Sequence, residues 1–84
     1  MYLTEEMLRE RQALVRLGLS HGPFWKQQKD GLLPRPVKMS ARTSRWPASE
    51  IAAVIAARIA GKSEEEIRTL VSQIEAKRKQ LQPA

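Results

Sequence analysis

A mainly helical chain carrying one small β-hairpin is what three features of the sequence predict. Apolar residues recur at helical spacing in four stretches, each bounded by a Ser, Thr or Pro start and a Gly or charged end. Between the second and third stretches lies Leu32-Leu33-Pro34-Arg35-Pro36 followed by two short alternating segments, a pattern of extended chain and not of helix. The charge is also segregated. From Arg11 to Ser49 there are eight basic residues against the single acid Asp30, a balance of +7, while the flanks hold seven basic and eight acidic residues. A short helix with a basic hairpin behind it, backed by further helices, is a winged helix-turn-helix with an added C-terminal helix.

In chain order, Thr4 is the expected N-cap of a first helix, with Glu5 and Glu6 in its first turn and Met7, Leu8, Leu14, Val15 and Leu17 as one buried stripe. Gly18 ends it by accepting a positive φ. Ser20 is the expected N-cap of the second helix, and Pro23 fits only in its first turn. Phe24 then points inward, Trp25, Lys26 and Lys29 share the outward side with Gly22, and Asp30-Gly31 stops the helix. Val37-Lys38-Met39 and Ser44-Arg45-Trp46 form a hairpin around Ser40–Thr43. Alternation predicts Val37, Met39 and Trp46 on one face, with Lys38 and Arg45 on the other.

Pro47-Ala48-Ser49-Glu50 opens the third helix, with Ile51, Val54, Ile55 and Ile59 as its buried stripe and Gly61 closing it. Ser63-Glu64-Glu65-Glu66 reads as a capping box, Ser63 to the Glu66 N–H and Glu66 back to Ser63. The fourth helix then runs to about Leu81, with Ile67, Leu70, Val71, Ile74 and Leu81 as its apolar seam, interrupted by Arg78. Two units follow: residues 1–62 as a winged helix-turn-helix DNA-binding domain, and residues 63–84 as an amphipathic helix for packing or self-association. A chain of 84 residues buries only about 60–65% of the surface its unfolded form exposes, so its stability margin is thin.

Several function classes drop out. Without Cys there is no disulfide or thiolate zinc site, and His21 alone builds no metal centre, so neither metal nor cofactor is expected. No apolar run approaches the roughly 20 residues that cross a bilayer, and MYLTEEMLRE lacks the apolar core of a signal peptide, so a cytoplasmic protein with no membrane partner is expected. No nucleophile stands with a base and no Gly-rich phosphate loop follows a strand, so no catalytic residues, no enzyme and no small-molecule substrate are expected. The acids of Glu64-Glu65-Glu66 are what a helix first turn wants for dipole reasons alone.

Double-stranded DNA is the partner that explains the charge. A helix in the major groove reads base edges, while Lys and Arg on phosphates supply most of the affinity. The candidate contacts are Ser20, His21, Trp25, Lys26 and Lys29 on the second helix, then Arg35, Lys38, Arg42 and Arg45 on the connector and wing. Ser20 and the unpaired amides of the helix start suit one phosphate. Arg42 at the hairpin tip suits a narrow minor groove. Trp25 has two open readings, cover for the core or contact with sugar and a thymine methyl. Trp46 beside Pro47 reads as core.

GLS, an aromatic-basic helix ending KDG, LPRPVKM, an Arg in the turn, RW and SEIAAVIAARI together resemble the AlpA-like phage regulatory proteins, small members of the winged-helix group that includes excisionases and the MerR-type DNA-binding domain. The likeness covers about Leu8 to Ile59 and is most specific in KDGLLPRPVKMSARTSRW followed by SEI. It implies DNA binding through the second helix and wing, in control of a prophage or integrative element in the bacterial nucleoid, with recombination directionality as the alternative use. It supports Ser20, His21, Trp25, Lys26, Arg42 and Arg45 as DNA-facing. Gly22-Pro23 replaces small hydroxylated residues of the family. Gln27 and Gln28 replace apolar ones, which predicts a looser or shorter second helix and shifts weight to the wing. Ser40 takes a turn position often held by Gly. The apolar seam Ile67, Leu70, Val71, Ile74 and Leu81 has two open readings, folding back on its own domain or, because one small domain reads few base pairs, a homodimer or tandem oligomer on DNA. A helical protein-interaction module built on the same seam, without DNA, is the reading from a different class.

Overall fold

Leu8, Phe24, Trp46, Ile51 and Ile67 come from five separate stretches of the chain, and each is at most 2% exposed. Their mutual burial closes the fold. The computed structural model describes residues 5–81. The elements are β1 (Met7–Leu8), α1 (Glu10–Leu17), α2 (His21–Lys29), β2 (Val37–Ser40), β3 (Thr43–Pro47), α3 (Ala48–Ile59) and α4 (Glu64–Lys77), followed by a 3₁₀ turn Arg78–Gln80. The strands form an antiparallel sheet in the order β1-β3-β2. This is a winged helix-like, mainly α fold.

The N-terminus departs from the expected helix. Thr4 lies outside the described residues, and Met7 and Leu8 are strand, paired with Pro47 and Trp46. The open edge of β3 captures this segment, and the Ala48 N–H donates to the Glu6 carbonyl at 2.8 Å. Glu5 therefore serves a different helix from the one predicted. Its carboxylate accepts from the Ser49 N–H at 3.1 Å and from the Ser49 hydroxyl, at the start of α3, where Pro47 offers no side-chain cap. Helix α1 starts three residues later than Met7, its Arg9 N–H bonded to the Gln12 side chain at 2.9 Å. It turns Ala13 to the core and leaves Leu14 and Leu17 half-buried. Val15, assigned to the buried stripe, is 64% exposed, since the face is set by Ala13 and Leu17. Gly18 ends the helix at φ +70°, as its position predicts.

Helix α2 forms without a break from His21 to Lys29. It runs nine residues, and Gln28, which stands where an apolar residue was expected, fixes its far end. The Gln28 amide donates to the carbonyls of Leu33 (3.1 Å) and Pro34 (2.9 Å), and its oxygen accepts from the Trp46 indole N–H at 3.1 Å. Leu32, Leu33 and Pro34 are buried, so the proline-stiffened connector is itself part of the core.

In the hairpin, Val37 pairs with Arg45, Lys38 with Ser44 and Ser40 with Thr43, with a bulge between Lys38 and Ser40. Directly paired residues share a face. Val37 and Arg45 thus lie on one side and Trp46 on the other, which corrects the predicted grouping of Val37 with Trp46. The Trp46 face, with Leu8, packs into the core. The opposite face carries Met7, Val37 and Pro47 towards α4.

Helices α3 and α4 form an antiparallel hairpin around Gly61 at φ +77°. Ile51 and Val54 are buried and Ile55 is half-buried. Ile59, expected in the same stripe, is 82% exposed at the helix end, beyond the reach of the core. The capping box of α4 forms as read: the Glu66 N–H donates to Ser63 Oγ (3.2 Å) and the Ser63 N–H to Glu66 Oε1 (2.9 Å). Ile67 and Val71 enter the same core cluster as Ile51 and Val54. These two seam residues are occupied inside their own domain and open to a second copy only if α4 leaves it. Leu70 and Ile74 are half-buried, and Leu81 is exposed. Arg78, which breaks the seam, clamps the far end. Its guanidinium makes paired bonds to the Glu50 carboxylate (3.0 and 2.5 Å) and one to the Arg35 carbonyl (2.6 Å).

Gln28→Ala removes three directional bonds and leaves the Trp46 N–H without its partner, so it should lower unfolding stability by about 2–4 kcal/mol in urea titrations. Gln28→Leu, which keeps the volume, should lose a similar amount. The Glu66 carboxyl is held below its ordinary 4.5 by bonding first from the Ser63 N–H and then from its hydroxyl. The fold thus favours the ionised form. That contribution is complete above pH 4.5 and is lost as pH falls through the lowered value. Thermal melts should show Glu66→Gln losing less stability than the parent as pH falls below 4.5.

Candidate nucleic-acid interface

The turn Gly18-Leu19-Ser20 joins α1 to α2 and leaves the start of α2 at the surface. Ser20 is extended (φ −83°, ψ 174°) and its carbonyl accepts the first helical bond, from the Phe24 N–H at 3.0 Å. Its hydroxyl makes no cap bond. The N–H groups of His21 and Gly22 fall in the turn where an α-helix offers no internal partner. Pro23 has no N–H to offer. A Cβ built on Gly22 meets nothing within 4 Å, so an approaching surface finds open backbone there. An exposed hydroxyl with unpaired amides at a helix start suits an anion.

One turn further on, a carboxylate that sequence reasoning missed organises the side chains. Glu10 of α1 accepts from the Trp25 indole N–H at 3.1 Å and stands 3.2 Å from His21 Nε2. Trp25 is half-buried, edge-on to Phe24 (5.4 Å) and to Trp46 (6.0 Å). It packs as cover for the core with its N–H engaged. His21 remains largely exposed beside it, ring centroids 6.3 Å apart. No sequence signal singled out Glu10, because a helix read from Thr4 places it beyond the first turn and both its partners come from α2.

Lys26 and Lys29 are exposed, four and seven residues beyond Gly22, and share its side of the helix. Lys26 also lies 3.4 Å from Asp30, one turn on, a surface pair of little energetic weight. The wing presents its cations unequally. Arg42 is exposed in the two-residue turn, with no ion-pair partner among the described residues. Lys38 reaches across the turn to the Ala41 carbonyl at 3.1 Å. Arg45 is half-buried, on the face opposite Trp46, and donates to the Ser44 carbonyl at 2.9 Å. Arg35 stands apart. Its N–H donates to Glu75 Oε2 at 2.8 Å and its guanidinium lies 4.0 Å from the same carboxylate, which ties it to α4 and not to the wing.

Helix α2 and the wing are mechanically one piece. Phe24 and Trp46 meet edge to face at 5.3 Å, and Gln28 bonds the Trp46 ring. Arg58 of α3 adds a bond to the Gln27 side chain at 2.8 Å, and Arg68 of α4 caps the Asp30 carbonyl at 2.9 Å. The helix is held at its core face and at its C-terminal end, which leaves its N-terminal and cationic sides outward.

Among the described residues no three of His, Cys, Asp and Glu are grouped closely enough to hold a metal ion, and no helix is long and apolar enough to cross a membrane. In comparisons with known proteins, the family model described as prophage CP4-57 regulatory protein (AlpA) matches residues 6–59, from β1 to the end of α3. No curated protein and no solved structure matches the chain.

Exposed cations and packed aromatics should separate cleanly on substitution. Lys29→Ala and Arg42→Ala should change unfolding stability by less than about 0.5 kcal/mol, whereas Trp25→Ala should cost about 2–3 kcal/mol in the same urea titration.

Proposed function

The chain belongs to the AlpA family of prophage regulatory proteins, and from that premise we propose that it is a sequence-specific double-stranded DNA-binding regulator of a prophage or integrative element, acting at the host nucleoid. The observation that carries this reading is the rigid pairing of α2 with the wing, with Lys26, Lys29 and Arg42 exposed. On this reading α2 enters the major groove. The Ser20 hydroxyl and the amides of its first turn take one phosphate, Lys26 and Lys29 take phosphates or base edges, and Arg42 enters the adjoining minor groove. Lys38 and Arg45 support the wing from its two faces, and Arg35 contributes to the field from a distance. His21 lies beside the same phosphate, and Trp25 positions it through Glu10.

Fluorescence anisotropy with labelled duplexes tiled across the element's own regulatory DNA tests this. Affinity should fall linearly in a log-log plot against salt. Lys29→Ala and Arg42→Ala should each weaken binding by about 1–2 kcal/mol and flatten the salt slope by about one. Unchanged binding in both variants would remove α2 and the wing from the interface. Footprints then assign the use: protection at one promoter without bending supports regulation, whereas tandem protection with strong bending beside an attachment site supports a recombination directionality factor.

A further inference from the structure

Gly22, Lys26 and Asp30, each four residues from the next, form the row of α2 that points away from the core. At about 100° per residue, each lies within about 40° of the direction opposite Phe24 and Gln28, which face inward. Gly22 adds no side chain to this row, and the space above it is open. The Lys26 ammonium lies 3.4 Å from Asp30 Oδ2, so the row presents one donor and one acceptor side by side. Lys29 stands about 60° off the row, on the side of Trp25.

Asp30 is out of place on such a surface. It is the single acid between Arg11 and Ser49. At the C-terminal end of α2 its charge opposes the helix dipole. Its carboxylate accepts from Lys26 alone among the described residues, and an exposed pair of that kind contributes little to folding. Towards a phosphate it is repulsive. Neither stability nor attraction to a nucleic-acid backbone accounts for it. A base edge does, because an amino group there is answered by a carboxylate.

We infer that Lys26 and Asp30 together read one G·C base pair, on the premise that α2 enters the major groove: Lys26 donates to guanine O6 and N7, and Asp30 accepts from the cytosine N4 amino group. The major-groove edge of G·C offers those two acceptors beside that donor. C·G reverses them, so the ammonium meets the amino group and the carboxylate meets O6. A·T sets thymine O4 against the carboxylate. T·A keeps one acceptor and one amino group but puts the thymine methyl in place of N7, which ranks it second. With C·G and A·T a charge of the protein is left unanswered, so the pair rejects as well as selects. Lys29, off the row, is left to a phosphate.

A pool of duplexes randomised over about two helical turns, about 20 bp, selected on the full chain and sequenced, gives the preference at every position. The parent chain should favour G·C over C·G at one position by about tenfold or more, with T·A between them. Lys26→Ala and Asp30→Ala should each flatten that same position, and the double variant should flatten it no further, as expected of two groups acting as one. Asp30→Ala should also bind duplex of mixed sequence several-fold more tightly than the parent, since a negative charge leaves the cationic face. Should Asp30→Ala disturb the end of α2, Asp30→Asn removes the same charge at nearly the same volume. No salt-dependent binding by the parent would remove the DNA reading and this inference with it. Salt-dependent binding in which both variants keep the parent's preferences would overturn the inference alone. So would variants that alter different positions, a shared position that prefers any pair but G·C, or weaker binding of Asp30→Ala to mixed sequence.

Discussion

One side-chain amide holds the parts of this fold in register. Gln28 donates to two successive carbonyls of the connector and accepts from the ring of Trp46, so α2, Leu33-Pro34 and β3 meet at a single group. Apolar packing alone is non-directional and would let a short helix slide or roll against the sheet. Hydrogen bonds weaken steeply with angle, and three of them on one planar amide fix both the rotation of α2 and the height of the strand. Among the described residues no backbone N–H outside the regular elements bonds the Leu33 or Pro34 carbonyl, and the Gln28 amide supplies the donor to both. The same amide therefore satisfies the backbone and aligns the wing with the helix.

Helix α4 and the 3₁₀ turn that follows it lie wholly beyond the family-matched span, yet together they brace that span at three points. Arg68 caps the carbonyl of Asp30 at the end of α2, Glu75 takes the Arg35 N–H, and Arg78 grips Glu50 together with the Arg35 carbonyl. Glu50 raises the Arg78 pKa above its ordinary value through these bonds, and partial burial opposes the rise without reversing it. With Ile67 and Val71 in the core, the helix closes a side that the smaller unit would leave open to water. A chain with so little interior gains more from such a brace than a large domain would.

How much of this was legible follows from the range over which each signal acts. Gly18, the Ser63–Glu66 box, the Phe24 core position and the buried Trp46 are decided within a few residues, and sequence reading recovers them. Met7–Leu8 is a two-residue strand, too short for any period, and its partner lies about 40 residues away. Glu5 was correctly read as a residue for a helix start, but the helix it serves is α3. Gln28 looked like a flaw in α2 because each of its partners comes from a segment that only the fold brings near. The hairpin faces failed for a related reason: counting alternation across the turn requires the register, and the bulge after Lys38 shifts it. At the site, the outward placement of Lys26, Lys29 and Arg42 was readable, whereas the role of Glu10 beside Trp25 was not.

The fold also sharpens the charge pattern that first set the middle of the chain apart. Of its eight cations, Arg16 is answered by Glu6, Lys26 by Asp30 and Arg35 by Glu75. Arg11, Lys29, Lys38, Arg42 and Arg45 have no ion-pair partner among the described residues, and the last three belong to the wing. On the α4 side Glu50, Glu64 and Glu75 answer Arg78, Arg68 and Arg35, whereas Lys29 of α2 and Lys38, Arg42 and Arg45 of the wing carry no such pair among the described residues. On the proposed reading, these unpaired cations of α2 and the wing steer a polyanion as well as attract it. On the same reading the α2–wing unit, held together through Gln28 and the Phe24–Trp46 contact, keeps those cations from shifting independently once a first phosphate is met.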